Sequence, residues 1–315
     1  MNEKYVSVIG GLNLDLAGLS EETYREKNSN IGKIRTNAGG VGHNIAQNLT
    51  RLEVPTYLLT VYGDDYFGKI LEQDCQKNNI RLDYAKKIKG AHSSTYLYVA
   101  DDKRDMVSAI NDMGIIENIT PEFLEARMEY INNSEICVID GNIPKASIDW
   151  LGENCEVPIF VDPVSVSKVD RFENILNKID TFKPNESEAE ILTGISVTDE
   201  ESGAKSAKKL NKKGIKNVFI SLGEKGILCS RNQEVALVNT LPTDIVSANG
   251  AGDCTTATIV WARFKYGNSL PLDEVGLYTQ VAANITLESD KAVSPNLNVR
   301  NLIKKAASHY KENEK

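Results

Sequence analysis

Short apolar runs, each closed by Gly, Pro, Asp or Asn, alternate along this sequence with segments of helical character. The runs are rich in β-branched residues, which is typical of buried strands. They occupy residues 5–11, 56–63, 134–142, 157–163, 179–185 and 216–223. Strands that alternate with helices at this spacing predict βαβ units, and therefore an α/β fold with a mostly parallel central sheet. Because ligands of such sheets bind beyond the carboxyl ends of the strands, the polar residues that close these runs are candidates for a functional site.

The segments between the runs predict helices. Apolar residues three and four positions apart predict an amphipathic helix over 44–52. The segment 186–194 opens with acidic residues, which favour a helix N-terminus, and it ends at a glycine. Residues 201–214 also end at a glycine and have the polar composition of a surface helix.

Two regions, residues 12–37 and 93–113, interrupt this alternation. The second alternates in the manner of a β-hairpin. We interpret both regions as a small β-lid beside the main sheet, since a lid excludes water from a reactive site. An additional hairpin without a gating role is the alternative.

The composition narrows the class of protein and of partner. The chain has 315 residues, a formal net charge of −8, 41% hydrophobic residues and 25% charged residues. These values suit a globular protein with one large α/β domain or two smaller ones. The acidic balance argues against nucleic acid as the main partner, because phosphates attract clustered Lys and Arg.

The five cysteines and the N-terminal residues indicate the cellular compartment in which the protein is expected. The cysteines are odd in number, widely spaced and without a CxxC pair, so the sequence predicts neither a disulfide framework nor a zinc site. No apolar run approaches the roughly 18 residues of a membrane helix. The N-terminus runs straight into an apolar strand, without the apolar core of a signal peptide. We therefore expect a cytoplasmic protein without a membrane partner.

The stretch VSANGAGDCTTA, residues 246–257, places Gly250, Ala251 and Gly252 before Asp253 and an apolar helical segment. Glycines let backbone N–H groups approach a ligand closely, and a helix N-terminus presents free N–H groups and partial positive charge. This arrangement suits an anion such as a phosphate whose charge grows during transfer. Asp253, stabilised there as a carboxylate, could accept a proton from an alcohol. On this stretch alone, a helix-capping acid after a turn is an equally good interpretation.

Other nucleotide-binding motifs fit less well. The P-loop pattern G-x-x-x-x-G-K-[ST] is absent from the sequence. Residues 39–46, GGVGHNIA, match a dinucleotide-binding fingerprint only in part, since Ile45 stands where a Gly or Ala is expected and no clear buried strand precedes the stretch. A Rossmann dehydrogenase is therefore the weaker alternative.

Three stretches, AGGVGHNIAQNLTRL, KPNESEAE and SANGAGDCTTA, occur in this order along the chain. Together they resemble the signatures of the ribokinase-like (PfkB) carbohydrate kinases, and the resemblance covers nearly the whole chain. It implies a ribokinase-like three-layer α/β sandwich with a mostly parallel sheet. It also implies a single catalytic domain over residues 1–315, with a lid formed from about 12–37 and 93–113. The implied activity is transfer of a phosphoryl group from ATP to an alcohol.

The resemblance assigns roles residue by residue. Asp253 would be the base that deprotonates the acceptor hydroxyl, and Gly250, Ala251 and Gly252 would form the anion hole. The residues that would bind the sugar hydroxyls are Asn13, Asp15, Gly39, Gly40 and Asn44. As structural alternatives, the first two suit strand-end turns and the two glycines suit a helix-entry turn. His43, inside the first stretch, is interpreted as a packing or solvated histidine.

The same resemblance implies an ATP site with magnesium. Asn185 and Glu188 would hold the magnesium–phosphate assembly, largely through waters, which Mg²⁺ usually retains. The residues that would lie along the phosphates and ribose of ATP, beside Asn185, are Ser221, Gly223 and Gly226. A helix N-cap and a first-turn acid are the structural alternatives for Asn185 and Glu188. Ser247 stands where many family members carry an Asp that helps to bind a monovalent cation, which leaves potassium (K⁺) activation open.

Within the family, the stretches GGVGHNIAQNL, SSTYLYV, AINDM, DGNI and VDPVS are most similar to kinases of pseudouridine. This similarity implies phosphorylation of the 5′-hydroxyl of that nucleoside, a small-molecule substrate. We expect Thr95 and Asn111 to face the nucleoside, and Tyr96 and Tyr98, on the opposite face of their strand, to pack a homodimer through the lid. Another PfkB-type kinase, of ribose, adenosine or a ketohexose, is the first alternative. A non-catalytic binding protein of the same fold is the second.

Overall fold

Strands and helices alternate along residues 3–313, the part of the chain that the computed structural model describes. The strands are β1 Val6–Ile9, β2 Asn13–Ser20, β3 Gly32–Gly39, β4 Thr56–Leu59, β5 Val61–Gly63, β6 Lys86–Ile88, β7 Thr95–Ala100, β8 Met106–Asp112, β9 Ile136–Asp140, β10 Ile159–Asp162, β11 Ile179–Phe182, β12 Asn217–Ser221, β13 Ile227–Arg231 and β14 Glu234–Val238. The α-helices are α1 Val41–Arg51, α2 Tyr66–Lys77, α3 Pro121–Glu125, α4 Met128–Asn132, α5 Lys145–Asn154, α6 Glu186–Thr193, α7 Glu200–Lys212, α8 Ala251–Tyr266, α9 Leu272–Leu287 and α10 Val299–Asn313. The apolar runs predicted as strands all form strands, and the run 56–63 divides into β4 and β5.

The central sheet has the strand order β14-β13-β12-β11-β10-β9-β1-β4 over the described residues. Neighbouring strands from β12 to β4 run parallel, and β13 and β14 form an antiparallel hairpin at one edge. The predicted mostly parallel α/β fold is therefore confirmed. Because β4 and β9 lie on opposite sides of β1, the strand order changes direction there, and a crevice forms at the carboxyl ends of β1 and β9.

Helices cover both faces of this sheet, because alternate residues of a strand point to opposite sides. In β1, Val6 and Val8 belong to a buried cluster with residues of α1, α2, α8, α9 and α10. Ile9 belongs to a second cluster, with residues of α3 to α7. Full burial of one such side chain stabilises the fold by about 1.5–3 kcal/mol. The predicted three-layer sandwich is thus confirmed.

The two regions predicted to form a lid make up a separate four-stranded sheet with the strand order β3-β2-β7-β8, and we keep the name lid for this sheet. β7 and β8 lie within the predicted lid region 93–113, and β2 and β3 extend the region 12–37 to Gly39, directly before α1. The single domain over residues 1–315 stays a prediction, and its residues 1–2 and 314–315 lie outside the described part.

Strand pairing divides the lid side chains between two faces, because directly paired residues share a face and successive residues alternate. The face that carries Asp15 is called the inner face, and it comprises Asn13, Asp15, Tyr96, Tyr98 and Asn111. The opposite face is called the outer face, and it includes Leu16, Ile34, Thr95, Leu97 and Ile110.

Thr95 and the tyrosines Tyr96 and Tyr98 lie on opposite faces as predicted, but the predicted placement of Thr95 and Asn111 on one face is wrong. Thr95 pairs with Asp112, whereas Tyr96 pairs with both Asp15 and Asn111. Thr95 and Asn111 therefore point to opposite sides, and the tyrosines of β7 lie on the side of Asp15. A strand pattern has a period of two, but it does not show which residue of β8 lies opposite which residue of β7.

The cysteine side chains carry free thiols, and most of them are buried. None of the helices within residues 3–313 is long and apolar enough to span a membrane.

Candidate active site

Asp140 anchors the crevice at the carboxyl ends of β1 and β9. Its Oδ2 atom accepts the backbone N–H groups of Gly11 and Gly42, each at 2.8 Å, and its Oδ1 atom accepts the N–H of Asn142 at 2.8 Å. Burial raises the pKa of Asp140, and these donors act in the opposite direction. The Asp140 carboxylate therefore holds the backbone before β2, at Gly11, and the start of α1, at Gly42, at the end of β9. No individual role for Asp140 could be predicted from the sequence, where it is one of several polar residues that close the apolar runs.

Four of the expected sugar-binding residues lie close together around the start of β2 and the end of β3. Asn13 Nδ2 donates to Asp15 Oδ1 at 2.6 Å. A Cβ atom at Gly39 would lie 2.5 Å from Asp15 Oδ2. A Cβ atom at Gly40, where φ is +100°, would lie 2.5 Å from the Gly11 carbonyl oxygen. Both glycines are therefore needed for the close approach of β3 to the Asp15 carboxylate and to the chain before β2.

Asn44 connects this group to Asp253. Its Nδ2 atom donates to Asp253 Oδ2 at 2.8 Å, across the packed helices α1 and α8. The pKa of Asp253 is raised to about 7, mainly by burial and by the negative charge of Asp162, while the Asn44 amide and Lys183 lower it. A carboxylate with this pKa is substantially ionised near neutral pH and can accept a proton from a hydroxyl group.

The N-terminus of α8 can bind an anion. Gly250 has φ of +80°, and a Cβ atom there would lie 1.9 Å from the Ala292 carbonyl oxygen, so the turn requires glycine. The first helical hydrogen bond runs from Cys254 N to Gly250 O at 2.9 Å. The N–H groups of Ala251 and Gly252 therefore precede the helical hydrogen bonds, at the positive end of the helix dipole. Within the described residues no side chain caps this helix, so the capping role considered for the acid after the turn is not observed.

Asn185 and Glu188 begin α6 with a reciprocal capping box. Asn185 Oδ1 accepts the N–H of Glu188 at 2.9 Å, and Glu188 Oε2 accepts the N–H of Asn185 at 2.8 Å. The structural alternatives considered for both residues are thus observed. Burial raises the pKa of Glu188, and the Lys183 charge acts against that rise. The Glu188 carboxylate is buried close to Lys183, and its second oxygen takes no part in the capping box.

Lys183 is a functional candidate that the sequence analysis missed. Its Nζ atom lies 3.2 Å from Asp162 Oδ2 and 3.4 Å from the Gly252 carbonyl oxygen. Burial lowers the pKa of Lys183, but the carboxylates of Asp162, Asp253 and Glu188 raise it overall. The ammonium group therefore remains charged beside the proposed base and the anion hole. In the sequence, the only indication of this role was a lysine near the end of the apolar run 179–185.

The residues expected to border ATP follow β12. Ser221 ends β12 and forms a bridge with Asn185, so these two predicted residues are brought together. Gly226 has φ of +108°, and a Cβ atom there would lie 2.0 Å from the Val238 carbonyl oxygen. Gly223 has φ of +54°, and its missing Cβ faces open space. The positive φ angles of Gly223 and Gly226 account for glycine at both positions.

A model of the pfkB family of carbohydrate kinases matches residues 3–298. The chain belongs to the pfkB family. It is 35% identical over 308 residues to the pseudouridine kinase of Escherichia coli (strain K12), an alignment that covers 96% of this chain and 97% of the relative. A sugar kinase structure from Clostridium perfringens superimposes with a TM-score of 0.87 at 29% identity, over 98% of this chain and 97% of that one. Arabidopsis thaliana ribokinase, complexed with ribose and ATP, gives a TM-score of 0.83 at 22% identity, over 97% of this chain and 99% of that one.

Membership of the pfkB family decides two questions that the sequence left open. The solved neighbours include ribokinases, which confirms the predicted ribokinase-like fold. The partial dinucleotide fingerprint at 39–46 belongs to the start of α1 in a carbohydrate kinase, so the Rossmann dehydrogenase alternative is wrong. Cys254, next to Asp253, is not a nucleophile near neutral pH. Its side chain is buried, and burial raises the pKa of the thiol to about 12.

Proposed function

We propose that this pfkB-family protein transfers the γ-phosphoryl group of ATP to the 5′-hydroxyl of pseudouridine, which gives pseudouridine 5′-phosphate. The observation that carries the proposal is the Asp253 carboxylate, held by Asn44 in the first turn of α8. The 35% identity to the Escherichia coli pseudouridine kinase, over nearly all of both chains, supports the choice of this nucleoside.

In the proposed mechanism, Asp253 removes the proton from the attacking hydroxyl group. The N–H groups of the glycine turn, Gly250 to Gly252, stabilise the negative charge that develops on the transferring group. Lys183 adds a fixed positive charge next to the Gly252 carbonyl group. Positioning and electrostatic stabilisation supply most of the catalysis in such transfers.

The described residues fit a magnesium ion that is held through water and phosphate. Among residues 3–313, no cluster of three His, Cys, Asp or Glu side chains could hold a metal directly. Asn185 and Glu188 would orient the hydrated ion, and Ser221, Gly223 and Gly226 would border ATP. The bound ion would neutralise charge on the phosphates. The Arabidopsis ribokinase complex with ribose and ATP supports ATP as the donor.

The inner face of the lid supplies polar groups for a nucleobase. Asn111 and Tyr96 are directly paired, and Tyr96 is also paired with Asp15, so these side chains share the substrate side. A site that hydrogen-bonds a substrate rejects analogues that leave its polar groups unpaired. We therefore keep Asn111 as a residue that contacts the base and replace Thr95, on the outer face, with Tyr96.

A substrate panel tests the proposed function. ATP consumption with Mg²⁺ is measured for pseudouridine, uridine, adenosine, ribose and fructose, with the wild type and Asp253→Asn. We expect the wild type to prefer pseudouridine, and the variant to lose at least about 10²-fold in kcat, the lower end of a general-base contribution. Preference for a sugar would favour the first alternative, for which the Clostridium perfringens sugar kinase structure is the precedent. No turnover on any compound would favour a non-catalytic binding protein.

We also propose a homodimer through the outer face of the lid. Ile34 is 81% exposed and Ile110 is 63% exposed, and both belong to this face. Exposed clusters of large aliphatic residues commonly mark protein–protein contacts. Ile110→Lys should produce a monomer in light scattering, and a wild-type monomer at micromolar concentration would contradict the proposal. The tyrosines first expected to form this contact lie on the inner face instead.

The proposed partners are small molecules in the cytoplasm. The net charge of −8 suits a protein that binds no nucleic acid. ATP, Mg²⁺ and reducing conditions for free thiols are all available in that compartment. Recovery of the protein in a membrane or extracellular fraction would contradict this assignment.

A further inference from the structure

A buried histidine lies directly behind the proposed base. His43, in α1, is 1% exposed, and its Nε2 atom lies 2.9 Å from Asp74 Oδ2 of α2. Its Nδ1 atom lies 3.4 Å from Asn44 Oδ1. Asn44 Nδ2 in turn donates to Asp253 Oδ2 at 2.8 Å. These contacts form a chain from Asp74 through His43 and Asn44 to Asp253, across three helices.

The partners of His43 determine which of its ring nitrogens carry hydrogen. The Asp74 carboxylate is an acceptor. The Asn44 oxygen is also an acceptor, since the Asn44 amide nitrogen is directed at Asp253. Both ring nitrogens can donate at once only in the doubly protonated ring, so the two contacts are hydrogen bonds together only when His43 is an imidazolium. His43 is thus buried rather than solvated, as a packing histidine is, and its contacts lead to the proposed base through Asn44.

Asp74 supplies the opposite charge. Burial acts to raise the pKa of Asp74, but the hydrogen bonds from His43 and Asn78 and the charge of Lys77 lower it overall. Asn78 Nδ2 donates to the same Oδ2 atom at 3.1 Å. The carboxylate form of Asp74 is therefore favoured, and it is the charge with which a protonated His43 would pair.

The charged groups that face this chain come from several elements. His43 faces Asp74 from α2 and Asp15 from β2, and its charge lowers the pKa of Asp15 against the effect of burial. The groups that act electrostatically on Asp253 are Asp162 at the end of β10, Lys183 after β11 and Asp140 at the end of β9. Removing the His43 charge leaves these other groups in place, so its effect can be measured separately.

We propose that His43 is a positioning residue for the reaction, whose imidazolium holds the Asn44 amide in the orientation that donates to Asp253. A neutral imidazole that donates to Asp74 would leave the Asn44 oxygen without a donor. The amide could then rotate and turn its oxygen toward the Asp253 carboxylate, which is repulsive. The inference depends on the proposed role of Asp253 as the base, but it does not depend on which alcohol is phosphorylated.

The test compares pH profiles of two variants that remove the ion pair. His43→Gln removes the charge, and Asp74→Asn keeps its shape but no longer favours the imidazolium. Because the carboxylate form of Asp253 loses the Asn44 donor that favours it, we expect the ascending limb of kcat/KM to move up by about one pH unit in both variants. At pH 6 this gives a loss of about tenfold that narrows toward pH 9, with the KM for ATP within about twofold of wild type. His43→Arg, which keeps a cationic donor, should return the limb toward its wild-type position.

His92→Gln is the matched control, since His92 is 89% exposed and its Nδ1 atom lies 3.8 Å from Asp65 Oδ2. It should leave the profile unchanged. The alcohol used is the one that the wild type phosphorylates best. A ¹³C NMR titration of the Asp253 carboxylate, without substrate, gives a readout even if no alcohol is turned over, so failure of the proposed function is distinguishable. An unchanged limb and an unchanged Asp253 titration in both folded variants, with only a lower thermal midpoint, would overturn the inference.

Discussion

The buried pair of Lys183 and Asp162 should carry a large part of the stability around the site. The two side chains are 9% and 6% exposed, and Nζ lies 3.2 Å from Oδ2. Thr256 Oγ1 also donates to Asp162 Oδ2, at 2.6 Å. Lys183→Met removes the positive charge and leaves Asp162 buried without its ion-pair partner.

The expected magnitude follows from this distance. Two unit charges 3.2 Å apart attract by about 5 kcal/mol at an effective dielectric constant of about 20. Measured losses on removing one partner of a buried pair are about 3–5 kcal/mol, because the remaining charge stays desolvated. We therefore expect Lys183→Met to lower the free energy of unfolding by about 3–5 kcal/mol. The double variant Lys183→Met/Asp162→Asn removes both charges and should lose less than Lys183→Met alone.

Urea unfolding of the wild type, both single variants and the double variant provides the measurement. The control is Lys205→Met, since Lys205 and Glu201 form a 2.7 Å pair with 64% and 79% exposure. Exposed pairs of this kind contribute little to stability, because solvent screens the two charges. The reasoning is refuted if Lys183→Met costs no more than the control, or if the effects of the two single variants simply add.

Three further results are expected. Asn111→Ala should raise the KM for the nucleoside several-fold, whereas Thr95→Val, on the outer face, should leave it within twofold. Equal effects of the two variants in steady-state kinetics would refute the assignment of these residues to opposite faces of the lid. Gly250→Ala introduces a Cβ atom 1.9 Å from a carbonyl oxygen, so its thermal midpoint should fall well below that of Gly267→Ala, where φ is also positive but the space is open; equal midpoints would contradict this. Since the pKa of Asp253 is raised to about 7 on folding, the folded state loses stability as pH rises from about 4 to 7. Asp253→Asn should therefore gain stability relative to wild type over that interval, by a difference on the order of 4 kcal/mol at pH 8 that is absent at pH 4. A constant difference across pH would count against the shifted pKa.

The positions of the strands could be predicted because their signal is local. The apolar runs that precede Asp140, Asp162 and Lys183 are short, rich in β-branched residues and closed by polar residues. The register of the lid could not be predicted in the same way. Whether Thr95 or Tyr96 lies beside Asp15 depends on which residues pair across β2, β7 and β8, and the pairing of β7 with β8 contains a register shift between Val99 and Ala100.

The sequence by itself determined the alternation of elements, the glycine turn before α8 and the carboxylate that follows it. These features depend on residues close together in the chain, where backbone preferences and periodicity act. Only the tertiary structure decided how Asp253 meets its partners. Asn44 is 209 residues away in sequence, and Asp162 and Lys183 come from two other strand ends, yet together they set its orientation and its pKa. The physical reason is that burial and charge–charge interaction depend on distance in space, which the fold creates and a linear sequence does not display.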